Sequence, residues 1–325
     1  MLVMGVDENG LGPVLGPLVT TGIGLSLARY QMARHYQIGR ELGIDDSKAT
    51  AAFGKMALAE GLALAVMESL HGALPGDAQA FLELLLLDAP EQLQGRCPSA
   101  SLPQCWSVAI ALPCFGGDVA AGRKALTLLA RRGVDVVRAK SAVACTKFLN
   151  DRLGTGQSRV EVDLELMERL VLDGRSQLGD ELYAVCGMVG GIRNYPDKLR
   201  HIPREQIRER PAKRSDQPGT LAYDVDGVGQ VRFEIDADQN HLPVALASMI
   251  GKYVRELWML RHNRFYQARD PALLDVSGYH DPVTRRFIEQ SRLLRRQLGV
   301  DELCFIRDSA KQLLDRNQLS LFEAE

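Results

Sequence analysis

The chain opens with an unbroken apolar run, MLVMGV, that meets two acids, Asp7 and Glu8, and then a glycine-rich turn, NGLGP. A short apolar run bounded by turn residues predicts a strand, and VLGPLVTTGIGLS predicts a second one, joined to the first as a hairpin with a rather long connection. ALAEGLALAVMESLHGAL, GDVAAGRKALTLLARRG and DLELMERLVLDGRSQL carry apolar residues at helical spacing. VDVVRAKSA predicts another strand, and DELYAVCGMVGG a buried strand ending in glycines. LAYDV and QVRFEID flank DGVG as a β-hairpin. The segment LPVALASMIGKYVRELWMLRHNRF predicts a long helix with Leu246, Met249, Ile250, Tyr253 and Leu257 on one face. PVTRRFIEQSRLLRRQLG and DELCFIRDSAKQLLDR predict two closing helices. Strands first, then helix and strand in alternation, then helices: the order predicts an α/β sheet with helices packed on it and a helical C-terminal portion. Residues from about 75 to 117 interrupt the order as an irregular insertion. The expected organisation is one domain over 1–300 and a C-terminal helix with a partner-binding tail over 301–325.

Composition narrows the class without naming a function. The 325 residues are 25% charged and 46% hydrophobic, with a formal net charge of −2, so a nucleic-acid surface would have to be a local patch. The densest apolar run, AFLELLLLDAP, falls far short of the ~20 residues a membrane span needs, and no leader segment opens the chain. A monomeric, soluble, cytoplasmic protein with no membrane partner is expected. The six cysteines include no CxxC pair and read as reduced core thiols. Cys97, Cys105 and Cys114 share one segment; a zinc site there is the alternative, disfavoured because structural zinc sites use closer pairs.

The acids carry the candidate chemistry. Magnesium is held by a few carboxylates together with water and substrate phosphate. Asp7 and Glu8 suit such a site if the strand stops near them, since successive strand residues point to opposite faces. Asp238, in FEIDADQNHLPVALAS, stands between a strand and the start of the long helix, where partial positive charge favours anions. Taken alone, DADQN also reads as a helix cap and DENG as a turn.

GVDENGLGPVLGPLV resembles the N-terminal motif of the type 2 ribonucleases H, roughly DE-x-G-R-G-P-x-x-G-P. DDSKAT resembles their D-S-K motif, ADQNHLPVALASMIGKYVRE their Asp followed by a helix reading A-S-x-x-A-K-x-x-R-D, and SGYHDPVTRRFI their S-G-Y-P-x-D-x-x-T segment. The four matches fall in family order between residues 5 and 288 and mark a divergent bacterial member. The resemblance implies a ribonuclease H-like mixed sheet flanked by helices. It also implies cleavage of the RNA strand of RNA–DNA hybrids, or of ribonucleotides embedded in DNA, by two-metal phosphodiester hydrolysis with Mg²⁺ or Mn²⁺. By resemblance Asp7, Glu8 and Asp238 are three of four metal-binding carboxylates. Gly10, Leu11 and Gly12 then lie against the ribose 2′-OH, Ser47 and Lys48 meet a phosphate, Ser248 and Lys252 share one helix face, and Tyr279 stacks at the RNA–DNA junction.

Three departures stand out. Leu11 replaces the family's Arg between the glycines, and Glu256 stands where the helix usually has Asp. The family's third carboxylate closes a buried strand, but the corresponding strand here ends in Cys186 and Gly187. The ligand is then absent, or supplied by Asp236, or by Asp173 in LVLDGRSQ. A site short of a carboxylate leaves room for a catalytically impaired or re-specialised hybrid- or junction-binding protein. The run LRHIPREQIRERPAKR, with Arg200, Arg204, Arg208, Arg210, Lys213 and Arg214, reads equally as a strip along a nucleic-acid backbone or a solvated helix face. The tail QLSLF, Gln318, Leu319, Ser320, Leu321 and Phe322, is similar to the bacterial β sliding clamp-binding motif, with apolar anchors suited to a partner's pocket.

Overall fold

The computed structural model describes residues 1–44, 55–99, 102–179, 181–190, 192, 194–211 and 217–309. In chain order the elements are β1 (Leu2–Asn9), β2 (Leu18–Leu27), α1 (Met32–Glu41), α2 (Ala57–His71), α3 (Ala78–Leu85), α4 (Pro90–Gln94), α5 (Val119–Arg131), β3 (Val134–Ala144), α6 (Thr146–Gly154) and α7 (Arg159–Leu178). They continue as β4 (Leu182–Gly187), β5 (Ile207–Glu209), β6 (Leu221–Val225), β7 (Gly229–Glu234), α8 (Leu242–Gln267), α9 (Pro282–Gln290), α10 (Arg292–Gln297) and α11 (Glu302–Phe305).

The strands form one mixed sheet in the order β3-β2-β1-β4-β7-β6-β5. β1, β2 and β3 run antiparallel, β4 and β7 lie parallel to β1, and β6 and β5 return antiparallel at the far edge. Helices cover both faces, which is why β1 reads as a continuous apolar run rather than an alternating one. Val3, Val19, Ile23 and Leu25 pack beneath α2, α3 and α8. Leu2, Met4, Val6, Ala184 and Cys186 pack beneath α7 on the other face. No described helix is long and apolar enough to cross a membrane.

α7 is fixed by a capping box, Ser158 with Glu161, and by left-handed Gly179 at its end. α8 opens with Pro243 in its first turn and crosses β1 closely. A Cβ on Gly5 would stand 2.2 Å from the Pro243 carbonyl carbon, so only glycine admits this approach. The crossing brings the start of α8 over the carboxyl end of β1, where Asp7 and Glu8 lie.

Local expectations fail where short polar contacts compete with the helix. The segment from 282 to 299 is two helices, broken at Ser291, whose hydroxyl donates to the Phe287 carbonyl (2.6 Å) and accepts from Arg295 Nη1 (2.6 Å). Of the predicted last helix only Glu302–Phe305 is helical among the described residues. Ile306 then bridges to Leu15, and the Arg307 N–H donates to the Val14 carbonyl (2.8 Å). The basic run is a short 3₁₀ turn and edge strand β5 rather than a helix. Its arginines are met by acids: Arg200 by Glu165, Arg204 by Asp197, Arg208 by Asp226 and Arg210 by Asp224. Lys213 and Arg214 lie outside the described residues.

Candidate carboxylate site

β1 runs on to Asn9, but its parallel neighbour β4 stops at Gly187, and their pairing ends at Val6 and Cys186. The last residues of β1 are therefore uncovered on that side, and both acids turn over the end of β4. A Cβ built on Gly187 would stand 3.0 Å from Asp7 Oδ1 and 3.5 Å from Glu8 Oε2. Two side chains from opposite faces of a strand thus reach one place. The strand that ends is the neighbour, not the strand that carries them.

Together with Asn9, Gly10, Leu11, Asp236, Asp238, Ser248, Lys252 and Tyr279, these acids line an open cleft of about 640 Å³. Asp238 sits in a 3₁₀ turn ahead of α8, and exposed Asp236 enters that turn with a left-handed backbone (φ 49°). Beneath the turn the buried Glu234 accepts from Arg232 Nε (2.7 Å) and lies 3.0 Å from His241 Nε2, which ties the end of β7 to the start of α8. Ser248 and Lys252 lie one turn apart on α8. Burial holds Asp7 well above the usual carboxylate range, helped by Glu8 and Asp238 and opposed by the Ser248 hydrogen bond and the Lys252 charge. Buried like charges of this kind are balanced by a cation.

Among the described residues no three ligand side chains are already closed around a single ion. Asp7 and Glu8 converge over the end of β4, and Asp238 joins them in the cleft lining. That suits Mg²⁺, which takes one or two carboxylates and completes its shell with water and substrate phosphate.

The glycine loop is held from below. Gly10 has φ +90° and its missing Cβ would meet Arg255 Nε at 2.7 Å. Arg307, buried beneath the loop, donates from Nη1 to the Gly10 carbonyl (2.6 Å) and from Nε to the Gly16 carbonyl (2.8 Å). Arg255 donates to the Ser277 carbonyl (2.8 Å), pairs with Glu256 (2.9 Å) and lies 4.7 Å from the Tyr279 ring centroid. Gly12 is exposed on the same loop, outside the cleft lining.

Other expected positions fall elsewhere. Asp173 is inside α7, not at a strand end, and is bound by Arg138 (2.5 Å). It does not join the cleft. Ser47 and Lys48, and Gln318 to Phe322, lie outside the described residues.

One acid escaped the sequence reading. Asp163, on α7, is fully buried and accepts from Thr20 Oγ1 (3.0 Å), and its Oδ2 has no hydrogen-bond partner. Burial raises its pKa to about 7, with a further push from Asp7. The signal was present: Asp163 falls on the apolar face of α7, among Val162, Leu166 and Met167. A carboxyl whose pKa is raised on folding stabilises the fold fully below its unfolded value near 4, and that stability is lost as pH rises to about 7. Asp163→Asn should remove such a dependence, worth on the order of 4 kcal/mol. Melting temperatures of parent and variant measured from pH 4 to pH 8 should diverge, with the variant gaining towards the alkaline end.

Comparison with known proteins adds the following. No family model matches the chain, and no curated protein matches it. Among solved structures it is similar to a chain of the PCNA:RNase HII complex from Archaeoglobus fulgidus, at 19% identity over 94% of each chain with a TM-score of 0.46. It is also similar to the ribonuclease H2 from Pyrococcus horikoshii OT3, at 17% identity over 97% of this chain and 98% of that one, TM-score 0.44. A third similarity is to Bst-RNase HIII in complex with Mn²⁺, at 13% identity over 96% of this chain and 68% of that one, TM-score 0.46.

Proposed function

We propose that this protein is a metal-dependent endonuclease of the ribonuclease H kind, cutting the RNA strand of RNA–DNA hybrids or ribonucleotides embedded in DNA. The observation that carries the reading is the convergence of Asp7, Glu8 and Asp238 on one open cleft with Ser248, Lys252, Gly10 and Tyr279. Asp7, Glu8 and Asp238 would hold Mg²⁺ or Mn²⁺. Bound there, the metal would activate the attacking water and stabilise the leaving 3′-oxygen. Lys252 offers its charge to a substrate phosphate, Ser248 orients Asp7, and the Gly10 backbone lets a ribose come close. Tyr279, 45% exposed and backed by Arg255, presents a face for a sugar or base. The test is cleavage of an end-labelled hybrid, and of DNA holding one ribonucleotide, with Mg²⁺, Mn²⁺ or chelator.

A second reading, a hybrid-binding protein that does not cleave, is favoured by Gly187. It stands within reach of both Asp7 and Glu8 yet offers no carboxylate. Tight hybrid binding without metal-dependent cleavage would decide for it.

We further propose that Gln318 to Phe322 dock on the bacterial β sliding clamp and bring the enzyme to replicating DNA. Deleting these five residues is expected to abolish retention on immobilised clamp and leave hybrid cleavage unchanged; undiminished retention would refute the docking.

A further inference from the structure

The turn that carries Asp238 is tied down by a buried chain of side chains to which the cleavage chemistry gives no part. His241 closes the turn: its N–H donates to the Ala237 carbonyl (2.9 Å), and the residue is 1% exposed at the head of α8. On one side its Nδ1 lies 2.8 Å from the hydroxyl of Tyr30, which stands between β2 and α1. On the other its Nε2 lies 3.0 Å from Glu234 Oε2, at the end of β7. Resting on the metal reading above, we propose that His241 is a positioning residue: clamped between Tyr30 and Glu234, it holds Asp238 in the cleft that Asp7 and Glu8 enter.

The donors run one way along this chain. Burial pushes the Glu234 carboxyl up, but hydrogen bonds and charges from His241 and Arg232 hold it below its usual range, so it is ionised and only accepts. Burial, with Tyr183 and Glu234, holds the Tyr30 hydroxyl above its usual range, so it keeps its proton. A neutral imidazole between the two carries its hydrogen on Nε2, donates it to Glu234 and accepts the Tyr30 hydroxyl on Nδ1. Both ring nitrogens are used, and the ring cannot turn without breaking both bonds.

Glu234 is the fixed point. Its other oxygen accepts from Arg232 Nε (2.7 Å), and its backbone carbonyl accepts the Met188 N–H (2.9 Å). Met188 follows β4 and lines the cleft. One residue thus joins the end of β4, over which Asp7 and Glu8 turn, to the turn that bears Asp238. A buried ion pair is weak support for net stability; what this one supplies is direction. Tyr30 extends the chain towards α1, its ring stacked on His35 at 5.4 Å and on His241 at 6.0 Å. Removing the groups that orient a metal-binding side chain weakens metal binding by about 10-fold or more.

The experiment is calorimetric titration of the full chain with Mn²⁺, at a temperature where parent and variants are all folded by circular dichroism. Mn²⁺ affinity should fall about 10-fold in His241→Phe, which loses both ring nitrogens, and by less in Tyr30→Phe, which loses one hydroxyl. His241→Gln keeps a donor for Glu234 and should recover part of the loss. Hybrid affinity in chelator should stay at the parental level in these variants, because the Gly10 loop rests on Arg307 and Tyr279 on Arg255. Long-range ¹H–¹⁵N spectra of the metal-free parent should place the His241 hydrogen on Nε2. His35→Phe keeps the ring stack, loses only a local bond from the Gln31 N–H, and should bind Mn²⁺ as the parent does. Parental Mn²⁺ affinity in His241→Phe, a hydrogen on Nδ1, an equal loss in His35→Phe, or hybrid affinity falling in step with Mn²⁺ affinity would each overturn the role of His241 and leave the metal reading standing. A parent that binds no Mn²⁺ would overturn both.

Discussion

An Asp7→Asn variant is expected to lose metal-dependent hybrid cleavage by about 10³-fold or more, because it removes a charge from the pair that converges over the end of β4. The same change should raise the melting temperature of the metal-free protein. Burial holds the Asp7 pKa above its usual range, and Glu8 and Asp238 push the same way. The stability this group contributes is therefore present in acid and lost as pH rises through its folded pKa. Wherever Asp7 is ionised without a cation beside it, its buried charge is a cost, and Asn relieves it. Adding Mn²⁺ reverses the order: at about 100 times its dissociation constant a ligand adds ~2.7 kcal/mol to the form that binds it, and only the parent benefits fully. Thermal melts in chelator and in Mn²⁺, run beside a cleavage assay, check both halves. Undiminished cleavage by the variant would remove Asp7 from the site.

The strong periodicities of the sequence were enough for the sheet, α2, α5, α7, the β6–β7 hairpin and α8, since each buries an apolar face that its own pattern declares. What the pattern left out was set by contacts distant in sequence. α1 and α6 are short and polar and depend on the surface they rest on. Ser291 breaks a helix through its own hydroxyl, which no hydrophobic count records. In the cleft, the elements that carry Asp7, Glu8, Asp238, Ser248 and Lys252 could be anticipated, but not the way in which β4 ends to expose them. Asp173, the last of the alternatives for the missing carboxylate, lies within α7, as the helical spacing of DLELMERLVLDGRSQL predicts, and the capping box at Ser158 opens that helix. The cysteines were read by spacing along the chain, which hides that Cys97, Cys105, Cys145 and Cys304 line one small cavity.

Arg307 is the largest such omission, and replacing it is expected to cost the most stability. Its guanidinium comes from the far end of the described chain and donates to the Gly10 and Gly16 carbonyls at 2.6 and 2.8 Å. Burial, with Arg255 and Arg159 nearby, presses its pKa down, so the fold pays for a charged donor at this position and recovers it through those carbonyls. Arg307→Met fills the volume and leaves both carbonyls without that donor. At about 1.5–3 kcal/mol for each hydrogen bond to a charged group, offset by the relief of a buried charge, the net loss should be about 3 kcal/mol in denaturant unfolding. Arg307→Lys keeps the charge but cannot serve both carbonyls with one fork, and should fall between the two. Because Gly10 lies in the cleft while Asp7 and Glu8 stand on β1, the loop should loosen and the acids should stay in place. Hybrid affinity is then expected to drop in Arg307→Met with Mn²⁺ affinity kept. Equal loss of both would mean that Arg307 supports the whole carboxyl end of β1, and not the glycine loop alone.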